Sequence, residues 1–429
     1  MYEREYSEVS VTQYVAWITR KSRVALLFIY FIFLYTALPL SMPGGAQVPA
    51  FWVLSVTSLF AVMFGIRLYK ADLLLVASLL LLAFVSVAAS VNFSDAQERL
   101  PSIALLLVAL VNGVVFVQLI DRMKRNEIEA VLLFFIIAIL CGSALEVLGL
   151  LRDVSDSFRV WAFSSEYVVL DPTAAYERDM ALAGFIRPNL FTTETSNLAK
   201  GFLVFSNAWL LLGYSRSRLA VAALCNVFML AVTGSLVILV SLAIVCVMAF
   251  LLERNVKYRI FIGAACVGAT LLWLGLHNSS ELMVSRLHAV ADGYGGNQAI
   301  TSVVLRLVYP FITLRDVIVD QPYFGVGIGG TEMISQFSSL SLAPALAVGN
   351  NGFANLFIYF GLVGFLWMTV SVLRYLRSKG VNDVLLFVII VIGLLQVMGD
   401  AWTIRVWAYV FLFVAILRKR NVRLAEPIQ

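Results

Sequence analysis

Charge is what this chain has least of. Only 13% of its 429 residues are Asp, Glu, Lys or Arg, against 61% hydrophobic, whereas a soluble domain is about a quarter charged and nearly half apolar. No soluble domain of ordinary size fits between the apolar runs, which excludes the common cytosolic enzyme classes. With a mean hydropathy of +0.92, the long apolar runs parted by short charged clusters predict a polytopic membrane protein. Against that background a net charge of +5 is no sign of nucleic-acid binding, and no nucleic-acid partner is expected.

Histidine and cysteine are scarce too. The two histidines, His277 and His288, lack metal-ligand spacing to another His, Cys or acid cluster and read as solvated loop residues. Nothing resembles a Ser/His/Asp triad, a P-loop or a zinc site, so neither metal nor cofactor is expected. The four cysteines, Cys141, Cys225, Cys246 and Cys266, each fall inside an apolar run with no CxxC pattern. They predict small core residues rather than a disulfide framework.

What is present is a series of apolar runs. Twelve spans are expected, near residues 24–40, 49–66, 72–90, 102–120, 128–150, 197–214, 219–233, 236–252, 259–276, 352–373, 384–399 and 402–417. Arg20, Lys21 and Arg23 before the first run resemble a signal peptide, but the run is long for one and many spans follow, so it is read as a retained first helix. With a cytoplasmic N-terminus, the inside segments hold 21 of the 31 Lys and Arg, as the positive-inside rule requires. Both termini are then cytoplasmic. Two long segments, 151–196 and 277–351, fall outside. Their aromatic and aliphatic content predicts packed structure with short helices rather than disorder. "AITSVVLRLVYPFITLRDVIVD" (299–320) would break the charge pattern as a thirteenth span. It is expected to be a helix that lies on the outer surface or dips part-way in, with Pro310 as the place for a kink.

Several charged residues sit in those outer segments. Arg187 in "GFIRPNLFTTETSNLAKGF" recognises phosphate through its planar donor fork, snorkels at the membrane surface, or pairs with Asp179 or Glu194. Arg306 lies among apolar neighbours, where a cation wants an anion or snorkels from an amphipathic helix. Arg315 falls half a turn out of phase with Arg306 and has Asp316 and Asp320 close by, which favours a structural ion pair. Arg286 and Arg178 are weaker candidates. Glu194 is a proton acceptor or a helix-capping residue ahead of an apolar helix. Lys200 assists at the same place or snorkels. Asp400 and Arg405 suggest a local pair between the last two spans. "GVGIGG" (325–330) matches a dinucleotide fingerprint only in form, since no strand precedes it and no acid follows about 20 residues on; a tight turn is expected.

Three stretches, in this order, resemble a known family. "GFIRPNLFTTETSNLA", "LRLVYPFITLRDVIVDQPYFGVGIGG" and "NNGFANLFIYFGLVG" are similar to the motifs of the bacterial O-antigen polymerase (Wzy) and O-antigen ligase superfamily, over roughly residues 100 to 400. The resemblance implies an all-α integral membrane glycosyltransferase of the GT-C type that polymerises oligosaccharide units linked to undecaprenyl diphosphate on the periplasmic face of the inner membrane. Its partners would be the lipid-linked donor and acceptor, membrane lipid and, optionally, a chain-length-regulating membrane protein. It implies Arg187, Arg306 and Glu194 as catalytic, and Lys200, Arg315, Arg286, Asn350 and Asn351 as substrate-binding. The chain departs from the pattern in three places, one of them "TGSLV" (233–237), which lacks the arginine often seen after such a "TGS". Thr195 stands where the family often has proline, and Asn350 stands where ligases carry histidine; asparagine cannot act as a base. An O-antigen ligase and a lipid-linked oligosaccharide flippase remain as alternatives.

Overall fold

A computed structural model describes residues 21–36, 40–41, 47–48, 50–63, 66–90, 98–163, 179–180, 185–276, 309–330, 333–334, 351–399 and 404–425. Fourteen helices are found among them. They are α1 (21–36), α2 (Ala50–Met63), α3 (Lys70–Ser90), α4 (Leu100–Asp121), α5 (Arg125–Val147), α6 (Arg152–Phe163), α7 (Thr195–Leu212), α8 (Arg216–Thr233), α9 (Leu236–Leu252), α10 (Val256–Leu276), α11 (Tyr309–Asp320), α12 (Gly352–Ser378), α13 (Val384–Val397) and α14 (Ile404–Ala425). Each of the twelve expected apolar segments coincides with one of these helices. The other two, α6 and α11, lie in the two long intervening segments. One small departure from an all-helical chain is an antiparallel pair of two-residue strands, β1 (Leu40–Ser41) and β2 (Gln47–Val48).

Five helices, α3, α4, α5, α8 and α12, are long and apolar enough to cross a membrane, and α9 and α13 are shorter apolar helices. At about 1.5 Å rise per residue, the 21 to 23 residues of α3, α4 and α5 reach across a hydrocarbon layer about 30 Å thick. With no water in such a layer, the helix satisfies its own backbone groups. The bundle centre is α7, flanked by α5, α9 and α14, with α14 also packed along α4. Aromatic rings fill the junction of α1, α4, α5 and α7: Phe31 lies 4.8 Å from Phe205, and Phe135 lies 5.0 Å from it. The cysteines are not uniformly core residues as expected. Cys266 is buried, but Cys141 is exposed on the outer face of α5.

Polar contacts sort the helix ends into two sets. At one end lie the N-termini of α1, α3, α5, α8, α10 and α13 and the C-termini of α4, α7, α9, α12 and α14. Here Lys379 pairs with Asp72 at 2.7 Å, Arg216 with Glu253 at 2.9 Å, and Arg420 with Asp383 at 3.6 Å. Arg418 pairs with Asp121 and Arg218 with Glu129. The segments that the charge pattern places on one side thus gather at one end of the bundle, called here the basic end. Glu253, just past α9, accepts from the Arg216 guanidinium, which holds its carboxyl at about 2. At the far end α1, α4, α5, α7, α12 and α14 meet the loops before α7 and after α11.

The far end contains a broken helix. α12 departs from helical geometry at Gly361 (φ 61°, ψ −170°), a conformation open to glycine. The break orphans backbone groups on either side, and the loop after α11 satisfies them. Val326 and Gly327 donate to the carbonyls of Ile358 and Tyr359 at 2.9 and 3.0 Å. Leu362 and Val363 donate to those of Pro322 and Tyr323, again at 2.9 and 3.0 Å. This is the "GVGIGG" segment, a turn as expected, and Arg99 Nη1 clamps it by donating to Val326 O at 3.0 Å. α11 is described from Tyr309 to Asp320. The kink expected at Pro310 involves residues 299–308, which lie outside the described residues.

Candidate functional site

The residues singled out at the head of α7 do come together with others. Asn189 to Thr192 form a tight turn in which Leu190 and Phe191 both take positive φ, 39° and 62°. Side chains without glycine's freedom hold such a shape only where the surroundings over-determine it. Four side chains do so here. Glu146, near the end of α5, accepts from Asn189 N at 3.1 Å and Leu190 N at 2.7 Å. Ser155 on α6 accepts from Phe191 N at 3.1 Å. Tyr35 of α1 donates its hydroxyl to Leu190 O at 2.9 Å, and Thr195 Oγ1 donates to Asn189 Oδ1 at 2.9 Å.

The chain then enters α7. Glu194 is its N-cap residue, but its carboxylate does not cap. It is exposed and accepts from Ser196 Oγ at 2.9 Å. One turn on, Asn197 donates its amide nitrogen to Thr193 Oγ1 at 2.6 Å, which turns Oδ1 the other way. Two cations meet on that oxygen: Lys200 Nζ at 3.2 Å and Arg405 Nη1 at 3.2 Å. Arg405, at the start of α14, also donates to the carbonyls of Leu34 at 2.9 Å and Tyr35 at 3.1 Å. All three acceptors are neutral. A guanidinium satisfied by carbonyl and amide dipoles keeps its full charge available to an anion.

Arg187, two residues before the tight turn, takes the ion-pair option. It donates to Asp179 Oδ1 through Nε at 3.0 Å and Nη2 at 2.6 Å, and through its backbone N to Oδ2 at 3.2 Å. Its side chain is 19% exposed and that of Asp179 4%, so the fork is held in a fixed pose with one edge open. Arg315 donates through Nε at 3.0 Å and Nη2 at 2.8 Å to Asp316, as its spacing suggested, and projects into the surroundings. Asn351 is fully buried and caps α12: its Oδ1 accepts from Ala354 N at 3.0 Å and its Nδ2 donates to Gln396 at 2.8 Å. Those bonds occupy it structurally. Arg306, Arg286, Asn350, Arg178, Asp400, His277 and His288 lie outside the described residues.

Sequence reasoning passed over Arg405 and Glu146. Arg405 stood close to Asp400, and a local pair was the cheaper reading; its described partners lie on α1 and α7 instead. Glu146 could have been found, because an acid inside an otherwise apolar run is expensive and needs a purpose. No protein-family model matches this chain, and no curated protein does.

Proposed function

We propose that the chain is a membrane glycosyltransferase of the O-antigen polymerase type, with twelve spans in a GT-C arrangement and both termini cytoplasmic. In this reading the basic end faces the cytoplasm, as the excess of Lys and Arg favours, and the head of α7 faces the periplasm. The donor is an oligosaccharide on undecaprenyl diphosphate, and the acceptor is the non-reducing end of a second lipid-linked unit. The observation that carries the proposal is the convergence of Lys200 and Arg405 on the neutral Asn197 Oδ1, at the end opposite the paired basic layer.

The chemistry asks for positive charge and little else. The bond from the anomeric carbon to the diphosphate oxygen breaks, and the electron pair leaves with the diphosphate. A new bond forms from that carbon to the acceptor hydroxyl oxygen, and the hydroxyl proton passes to a base. Lys200, Arg405 and the open edge of Arg187 would neutralise the departing diphosphate. The N-terminal dipole of α7 adds to this. Glu194 is the exposed carboxylate placed to take the proton. Glu146 touches no substrate in this scheme; it positions the strained turn from which Arg187 and Glu194 extend.

The test is release of undecaprenyl diphosphate by the purified protein in liposomes supplied with the lipid-linked oligosaccharide. Removing one preorganised donor costs about 3–4 kcal/mol at a transition state, so Arg405→Gln is expected to cut turnover by about 10² to 10³-fold. Translocation of the lipid across the bilayer without diphosphate release would instead assign a flippase.

A further inference from the structure

A cavity lies at the basic end, away from the α7 site. It has a volume of about 330 Å³ and sits between α3 and α12. The two helices run antiparallel and each offers one stripe to it: positions 71, 74, 75 and 78 of α3, and 371, 374, 375 and 378 of α12. Both sets follow the i, i+3, i+4, i+7 spacing of a single helix face. The wedge is closed at its deep end, where the Ser78 and Ser371 hydroxyls bond at 2.8 Å and Trp367 Nε1 donates to Ser78 Oγ at 2.9 Å. That lies eight residues into α3, about 12 Å along its axis. One wall is secured by Tyr375, which donates to Asp72 Oδ1 at 3.0 Å, beside the buried Lys379–Asp72 pair.

The charge at this wedge is one-sided. Asp72, the acid beside it, is already neutralised by Lys379. Arg374 lines the wedge and is exposed, and among the described residues no carboxylate pairs with it. Arg67, Lys70 and Arg377 are exposed on the same two helix ends, again with no ion pair among the described residues. Leu74, 59% exposed, forms an outer wall, so the wedge opens sideways between apolar helix faces rather than only toward water. A guanidinium at interfacial depth, a basic rim and an apolar lateral opening match an amphiphile whose anionic group is a phosphate diester.

We propose that the α3–α12 wedge is a specific site for the headgroup of an anionic phospholipid, with Arg374 taking the phosphate and the bilayer-facing opening passing the chains. The site is independent of the glycosyltransferase reading and stands or falls separately.

The test uses the full-length protein, stripped of lipid in detergent and titrated with phosphatidylglycerol or phosphatidylcholine. Bound lipid is read by native mass spectrometry and the midpoint of thermal unfolding is followed in parallel. One phosphatidylglycerol is expected to bind at least about tenfold more tightly than phosphatidylcholine, and Arg374→Gln to lose about tenfold, the scale of one charge-assisted hydrogen bond. Ala71→Phe fills the wedge without changing any charge and should also lose the lipid. Lys257→Gln, a basic residue on α10, should bind as the unmodified chain does. Three results would each overturn the proposal: equal affinity for the two lipids, unchanged binding by both wedge variants, or inorganic phosphate raising the unfolding midpoint as much as phosphatidylglycerol. If a variant fails to fold, the two-lipid comparison on the unmodified chain still decides.

Discussion

The two ends of the bundle treat their cations differently. At the basic end Lys379, Arg216, Arg218, Arg418 and Arg420 each meet a carboxylate. At the far end Arg405 meets three neutral oxygens, and Lys200 shares one of them. Desolvating a charge is costly, and a carboxylate partner offsets that cost while spending the cation's field locally. Neutral acceptors offset part of the cost and leave the field intact. A cation paired with a carboxylate, as Arg187 is with Asp179 even at the far end, therefore offers an anion less of its field, and one held by dipoles, as Arg405 is, offers more. Arg374 at the basic end is also without a carboxylate partner among the described residues, and it lines a cavity.

The contrast predicts opposite phenotypes for similar substitutions. The largest effect is expected at the far end, where Arg405→Gln and Lys200→Gln should each lower glycan transfer by about 10² to 10³-fold while the unfolding midpoint in detergent hardly moves. At the basic end Lys379→Met should do the reverse. It strands Asp72 in a buried site and should cost about 3–5 kcal/mol, read as loss of folded protein in a thermal or denaturant series. Adding Asp72→Leu to it should recover part of that loss.

Next in size is Gly361→Ala. A Cβ there would lie 2.6 Å from Gly325 N and closer still to the Tyr323 carbonyl, at a positive φ. Strain of this kind costs about 1–3 kcal/mol, and the loop that completes α12 should become accessible to protease. The smallest effect is at the Arg216–Glu253 pair of the basic end, whose arginine is exposed. The Arg216 fork lowers the Glu253 carboxyl from an ordinary 4.5 to about 2. A depressed carboxyl contributes stability above its unfolded value and loses it as pH falls through its folded value. Glu253→Gln should therefore lower the unfolding midpoint slightly and evenly above pH 5, with the difference vanishing toward pH 2.

The apolar layer of this molecule was legible because it depends on local composition. The run at 236–252 coincides with α9 to the residue, and "TGS" marks the turn before it, with Ser235 accepting from Val237 N. The charge clusters likewise foretold which helix ends gather together. The site was legible only in part. "TTETSN" marks the start of α7, but nothing local reveals that Asn197 turns its oxygen toward an arginine 208 residues away. The break at Gly361 was hidden for the same reason. Its hydrogen bonds are completed by a loop some 35 residues earlier, and a lone glycine in an apolar run does not announce a partner. The tie between Glu146 and the strained turn is also long-range, although an acid at that depth was itself a signal.

The claim on which the rest depends is that the head of α7 holds a diphosphate between Lys200 and Arg405. Its most direct test is an experimental structure of the protein with undecaprenyl diphosphate bound in a lipid nanodisc. The account predicts phosphate oxygens about 3 Å from Lys200 Nζ and an Arg405 guanidinium nitrogen, with the isoprenoid chain leaving sideways into the bilayer. A diphosphate seated at the basic end, or at the far end out of reach of both side chains, would contradict it.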